Sequence, residues 1–519
     1  MQIVHGRKLI KNSLLNLFNT MFMLIMTWVI SVWVARQLGP SNYGVFTLIL
    51  WFTGTFSWAL GMGLIHAVTK FVAEHKGKGE VDELTPIVLF VLKIEIVLTA
   101  VVTVILVFFR TSIANFFFSP QESFYFLLAF LGLLPGVVTA IFSAAIEGIQ
   151  KFEYFTIASL TLSPLSFLAK VVVLLRGWGI DGILVVMLVF SFANALFYYG
   201  VLRREGFFSG KRRPAGKALR RRIHKYNAGV MAILICDKIV WDKSENFFLG
   251  RFCPSTEVAY YNLGVNIAQR IMSVLPTTFW RVLFPAMSHY FGSGDRDKMK
   301  RVFFVSTRYL AFISFPVGVA GAILSYEIVH FLYGHDYVGA QRVLQIMFLA
   351  AILTSLSNPA SAILYGYERQ GFIYKYGAVL AIVNIVLDLI FIKPFGAVGA
   401  ASCYAVTTVL GSVGGLLYTC KTMKLKYPIV SLSKIVLATI IMASVILSIL
   451  SQLHGPAGFL LSGSAGAVTY LLSAFVLGTL EDEDYTLMRF VARTLPRKLR
   501  KPARAVISFV GEFKQKSGM

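Results

Sequence analysis

The chain has 519 residues, of which 57% are hydrophobic and only 14% charged, with a mean hydropathy of +0.71. A soluble globular protein carries nearer ~25% charged residues, so that class is excluded and an integral membrane protein is expected. The net charge of +24 would suggest nucleic acid in a soluble chain, but most of it lies in short connections and the C-terminal tail, so it reads as membrane topology with no nucleic-acid partner.

Arg7, Lys8 and Lys11 precede an apolar stretch that is too long for the ~7–15-residue core of a secretory signal, so it is expected to remain as the first span. Stretches long enough to cross a bilayer, roughly 20 residues each, fall near 13–38, 44–67, 85–109, 124–148, 154–175, 181–202, 227–250, 257–285, 303–325, 342–365, 374–393, 396–419, 433–452 and 457–479. This is an all-α polytopic chain of fourteen helices. Charge supports the count: odd-numbered connections hold six basic residues, and the even-numbered ones with both termini hold 36. Positive residues stay inside, so both termini are expected to be cytoplasmic at the cell membrane.

Residues 203–225 carry ten Lys/Arg against one acid, Glu205, and read as a cytoplasmic linker, either solvated or docked on anionic lipid. On each side of it the chain repeats its landmarks. Arg36 with Pro40-Ser41 answers to Arg251 with Pro254-Ser255, Gly148 to Gly366, and Gly179 to Gly396. The offsets are nearly constant, which predicts a six-helix unit used twice in the same orientation. The expected divisions are an N-lobe over 1–202, the linker 203–225, a C-lobe over 226–420, two added helices over 421–480 and a basic tail over 481–519.

A transport pathway needs polar side chains on one face of an otherwise apolar helix, because lipid-facing positions cannot hold them. Helix seven offers Asp237, Lys238, Trp241, Asp242, Glu245 and Asn246, which read either as pathway groups or as a structural ion-pair cluster. Helix eight offers Asn262, Asn266, Gln269, Arg270 and Arg281 in one stripe. Helix one offers Asn16 and Asn19, and helix two Trp51, Trp58 and His66. A cavity lined by these four helices follows, with Lys238, Arg270 and Arg281 suited to phosphate and the amides and indoles suited to sugar. Asp237, Asp242, Glu245 and the lone embedded acid Asp388 are candidates for ion or proton coupling, and Asp388 alternatively a satisfied buried acid. Lys93 and Glu95 are further embedded charges on helix three.

No phosphate-binding loop, HExxH or metal-spaced histidine pattern occurs, so neither a cofactor nor a metal is expected. The four cysteines have no paired spacing. The tail from Thr486 to Phe513 mixes basic and apolar residues and reads as an inner-leaflet amphipathic segment or as disordered.

The stretch Arg36-Gln37-Leu38-Gly39-Pro40-Ser41-Asn42-Tyr43-Gly44 resembles the R-x-L-G-P-x-x-Y/F-G motif of polysaccharide biosynthesis membrane proteins, the Wzx-type flippases of the multidrug/oligosaccharidyl-lipid/polysaccharide (MOP) exporter superfamily. Leu332-Tyr333-Gly334 with Tyr337, and Lys393-Pro394-Phe395-Gly396 with Gly399, resemble it as well. The resemblance covers roughly residues 5–425. It implies a MATE-like two-lobed transporter, not an enzyme, that moves isoprenoid-pyrophosphate-linked oligosaccharide to the outer leaflet by alternating access. The expected partners are the lipid-linked glycan and membrane lipids, with a polymerase or glycosyltransferases left open and a monomer expected. The alternative is an ion-coupled multidrug exporter of the same fold, for which the basic stripe of helix eight is ill suited.

Overall fold

The computed structural model describes residues 2–61, 63–208, 214, 216–241, 244–453 and 455–479, with side chains from Met21 onwards except at 229, 232–241, 275 and 370. Asp242, the tail 481–519 and the side chains of Asn16, Asn19, Asp237 and Lys238 lie outside the described residues.

The described chain is all helix. In order it forms α1 (Gln2–Leu60), α2 (Leu64–Gly77), α3 (Leu84–Phe108), α4 (Arg110–Phe117), α5 (Ser123–Leu131), α6 (Leu133–Gly148), α7 (Glu153–Leu175), α8 (Gly179–Arg204) and α9 (Lys217–Trp241). There follow α10 (Glu245–Phe252), α11 (Ser255–Ser293), α12 (Arg296–Ile323), α13 (Ser325–Tyr333), α14 (Ala340–Gly366), α15 (Gln370–Met423), α16 (Ile429–Leu450) and α17 (Gly455–Val476).

Among the described residues, ten helices are long and apolar enough to cross a membrane. Two of these, Met21–Leu60 in α1 and Gly371–Met423 in α15, run 40 and 53 residues. At 1.5 Å per residue the longer far exceeds a hydrocarbon core of ~30 Å. Each is broken at a glycine of positive φ, Gly39 (71°) and Gly396 (55°), with Pro40 or Pro394 close by to withhold a backbone donor. The expected spans seven and eight are helical but not among the ten. The seventh falls in α9 and α10, on either side of residues 242–243, which lie outside the described residues, and the eighth falls in α11.

By their contacts the residues form two compact units. The first contains 1–263, 332–340 and 377–404, and the second contains 264–331, 341–376 and 405–519. In the first unit α6 packs against α2, α3 and α8, and α7 packs against α1 and α8. Small residues permit the closest approaches: a Cβ on Gly148 would meet Thr69 O and the Val72 side chain at 2.9 Å. Elsewhere in this unit the Phe52 ring packs against Phe117, Phe126 and Phe130. In the second unit α16 and α17 pack on each other and on α12. Leu324, Ala438, Met442, Ile446, Tyr470 and Ala474 form the buried seam, and the Tyr470 hydroxyl donates to the Phe312 carbonyl at 2.6 Å.

In the basic segment, residues 217–225 are the first turns of α9, where Lys217, Arg221 and Lys225 are exposed while Arg220 meets the Phe90 ring of α3 and Arg222 meets α2. Arg222 Nη2 donates to both oxygens of Glu74 at 3.1 Å, and Lys78 donates to Glu74 Oε1 at 2.7 Å. The Arg222 guanidinium lies 5.2 Å from the Phe71 ring centre, and Lys70 Nζ lies 4.1 Å from that of Tyr226. The hydrogen bonds from Lys78 and then Arg222 hold the Glu74 carboxyl down at about 2. A run of arginines favours solvent, and within it Arg222 is drawn to an acid and a ring on α2.

Candidate functional site

Ser244 precedes α10 and Glu245 opens it, while α15 carries Asn384 and Asp388 one turn apart. These four meet. Asn384 Nδ2 lies 3.1 Å from Glu245 Oε1, 3.0 Å from Ser244 Oγ and 3.3 Å from Asp388 Oδ2. Ser244 Oγ donates to Asp388 Oδ2 at 2.6 Å, and Tyr261 OH donates to Glu245 Oε2 at 3.1 Å. Glu245, Asp388 and Tyr261 are fully buried. Next to them Asn262 Nδ2 donates to Asn246 Oδ1 at 2.7 Å.

An amide nitrogen has two hydrogens, so Asn384 satisfies at most two of its three neighbours at once. Asp388 Oδ1 has no hydrogen-bond partner among the described residues, and no described Lys or Arg pairs with either acid. Two carboxylates buried together, with no basic partner among the described residues, call for a proton or a bound cation to offset their charge. The oxygen-rich set of Glu245, Asp388, Ser244 and Tyr261 has the chemistry for either. Among the described residues, no group of three or more His, Cys, Asp or Glu is placed to hold a metal.

A second set of contacts ties together connections that the charge pattern places outside. Arg36 Nε donates to the Leu332 carbonyl at 2.7 Å, and Tyr337 OH donates to the Ala35 carbonyl at 2.5 Å. Ser41 and Ser255 hydroxyls meet at 3.1 Å, and Tyr260 OH donates to the Asp336 carbonyl at 3.1 Å. Arg251 lies 5.0 Å from the Phe116 ring centre. The residues of the R-x-L-G-P-x-x-Y-G stretch thus form a clasp with the segments around 255 and 332–337. Below it, Ala397 N–H donates to Glu257 Oε2 at 2.6 Å, at the break in α15.

The remaining expected site residues are spread over both units. In the first, Trp51 is half-buried with an indole N–H that has no partner among the described residues, Trp58 is half-buried and His66 is exposed. The same unit holds a cavity of about 250 Å³, lined by Leu50, Thr53, Ser57, Leu133, Met187 and Ser191 among others rather than by these three residues. In the second unit, Asn266 and Arg281 are exposed, Gln269 and Arg270 half-buried, and Arg270 Nη1 has no partner among the described residues. The hydrogen bonds of Asn384 bring together Glu245 and Asp388 of the expected site residues. Sequence reasoning missed Ser244, Tyr261 and Asn384. The one signal for Asn384 is its place four residues before Asp388 on the same helix.

Long apolar helices broken at glycines, around a buried polar set, define a multi-pass membrane protein of the MOP transporter fold. The lipid II flippase MurJ in an inward closed conformation superposes with a TM-score of 0.70 at 16% identity, over 90% of this chain and 99% of that one. An inward-facing multidrug resistance MATE transporter of the MOP superfamily gives 0.62 at 14%, over 78% and 94%. The chain belongs to the polysaccharide biosynthesis protein family, which it matches over residues 16–342. The probable low-salt glycan biosynthesis flippase Agl15 of Haloferax volcanii is 22% identical over 431 residues, 79% of this chain and 84% of that one. The proteins of known role among these are flippases and transporters rather than enzymes.

Proposed function

We propose that the protein is a flippase that carries an isoprenoid-pyrophosphate-linked oligosaccharide from the inner to the outer leaflet by alternating access. Family membership over residues 16–342 carries the glycan-precursor reading, and its relatives named as flippases support it. In this reading fourteen spans form two six-helix repeats and two added helices, with both termini cytoplasmic. The clasp of Arg36, Ser41, Ser255 and Tyr337 is then the closed outer side, and rocking of 1–202 against 226–420 must part it.

Arg270, with Nη1 buried and unpartnered among the described residues, is proposed as a cation that meets the pyrophosphate, with Lys238 and Arg281 as further candidates. Asn266, Gln269, Asn16, Asn19, Trp51, Trp58 and His66 are proposed as sugar contacts. Glu245 and Asp388 are the proposed coupling site, and Asp237 and Asp242 remain candidates beside them. With an inside-negative potential, each negative charge moved outward gains roughly 2.3 kcal/mol per 100 mV, which drives an anionic cargo even without a coupling ion.

The test is purified protein in liposomes that hold a fluorescent isoprenoid-pyrophosphate oligosaccharide, with accessibility to an impermeant quencher as the readout. Protein-dependent transfer that Arg270→Glu abolishes at normal expression is the expected result. No transfer, together with ion-driven uptake of a cationic dye, would replace this reading with the multidrug-exporter alternative.

A further inference from the structure

The Glu245–Asp388 set does not account for every buried acid. Glu95 lies in the middle of α3, which packs against α2, α5 and α6. Its residue exposure is 0%, and neither carboxyl oxygen has a hydrogen-bond partner among the described residues. Thr99, also 0% exposed, and Thr103 follow at the i+4 and i+8 positions, and their hydroxyls are likewise buried without partners. Several helical threonines donate to the carbonyl four residues back, as Thr55 does to Trp51 at 3.0 Å, Thr139 to Pro135 at 2.7 Å and Thr439 to Ile435 at 2.8 Å, whereas Thr53, Thr156 and Thr307 share the unpartnered state but do not lie one turn from a buried acid on their own helix. Three polar groups on one stripe of α3 therefore stand unsatisfied together.

The charged groups of the elements around α3 are engaged elsewhere or lie at helix ends. On α2, Lys70 stacks on Tyr226, Glu74 pairs with Arg222 and Lys78, Lys76 donates to the Ile149 carbonyl, and His75 bonds the Phe71 carbonyl. His66 on α2, Glu147 on α6 and Lys93 on α3 itself are exposed. On α1 Arg36 bonds Leu332, on α4 Arg110 bonds Val107, Asp82 and Glu83 lie outside the core, and α5 has no charged residue.

A carboxylate in this setting has neither counter-ion nor donor, and such burial costs several kcal/mol for the charged form. One carboxylate and two hydroxyls fall short of the six or more oxygens that a divalent cation takes. A proton is the ligand that fits, since it converts the carboxylate into a neutral acid and supplies a donor for the hydroxyl row. We propose that Glu95, with Thr99 and Thr103, is a proton-binding site in the first unit, separate from Glu245 and Asp388, that takes up and releases one proton as the helices around α3 shift. The hydroxyls of Thr99 and Thr103 supply the partners that a water needs to bridge from the carboxyl along α3.

Infrared difference spectra of the full chain in liposomes, stepped from about pH 5 to about pH 9, test the site without any transport assay, the range covering the values that buried glutamates reach. The carboxylic-acid C=O band should lose the amplitude of one group in Glu95→Gln and keep it in Asp297→Asn, a change at an exposed acid of α12. Thr99→Val should retain the band and move its midpoint by about one pH unit, the worth of one hydrogen bond. Identical wild-type and Glu95→Gln spectra would overturn the proposal, whether the acid is permanently neutral or permanently charged. If Glu95→Gln does not fold, an unmoved midpoint in Thr99→Val does the same. Because lipid transfer is not measured, a failure here leaves the flippase reading intact, and the reverse holds too.

Discussion

Ser41 and Ser255 stand 214 positions apart in the chain and share a hydroxyl hydrogen bond of 3.1 Å. The approach is so close that a Cβ on Gly44 would lie 1.7 Å from the Ser255 carbonyl oxygen. The glycine that ends the motif is thus required by a neighbouring backbone rather than by a turn. The landmarks that mark the sequence repeat, Pro40-Ser41 and Pro254-Ser255, are the segments that touch.

Gly44→Ala should part these segments, since the obstacle is the Ser255 backbone and cannot swing away. Overpacking of this kind costs about 1–3 kcal/mol. An impermeant thiol reagent should label Ser255→Cys faster when Gly44→Ala is also present. Equal labelling rates would mean that the clasp tolerates the methyl group.

Asn384→Ala removes the one amide shared by Glu245, Ser244 and Asp388 and leaves buried acceptors unmet. The expected loss is about 1–3 kcal/mol, read as a lower Tm, with a changed dependence of transfer on pH or monovalent cations. A changed Tm without any change in ion dependence would make the set structural only.

At the break in α15 the Glu257 carboxylate accepts from Ala397 N–H, and a Cβ on Gly396 would meet Glu257 Oε2 at 2.4 Å. Glu257→Ala should cost about 1.5–3 kcal/mol as a lost charged hydrogen bond. Gly396→Ala should cost at least as much, since it adds a side chain at φ 55°. Thermal unfolding of the two variants checks both, and wild-type stability in either would show that the break is held by other contacts.

The Glu74 carboxyl is held at about 2, first by Lys78 and then by Arg222, against an ordinary value of 4.5. A lowered acid stabilises the fold in its charged form. Its contribution is complete above pH 4.5 and fades as the pH falls toward 2. The pair is partly exposed, so the effect on global stability is small, about 0–1 kcal/mol. Amide exchange over 217–228 is the sensitive readout: Arg222→Ala should raise it above pH 4.5 and change it little in stronger acid.

The helix pattern and the fold class were legible because hydrophobic length and loop charge report directly on a bilayer. The motif residues were legible as a family mark, but their physical role was not, since Gly44 matters only beside Ser255. Asp388 and Glu245 stood out as embedded acids, whereas Ser244 and Tyr261 are ordinary residues until the chain brings α10, α11 and α15 together. Arg222 was legible only as one member of a charge run, since the acid that it meets lies 148 residues away.

The helical state of 217–225 also sets a limit on reach. Once α8 ends at Arg204 and α9 begins at Lys217, the connection is residues 205–216, about half the length that the charge run implied. At ~3.3–3.6 Å per residue, twelve residues extend on the order of 40 Å at most. With Arg222 fastened to Glu74, any hinge in this connection must turn within that tether, and the helix start moves with α2 rather than trailing freely behind it.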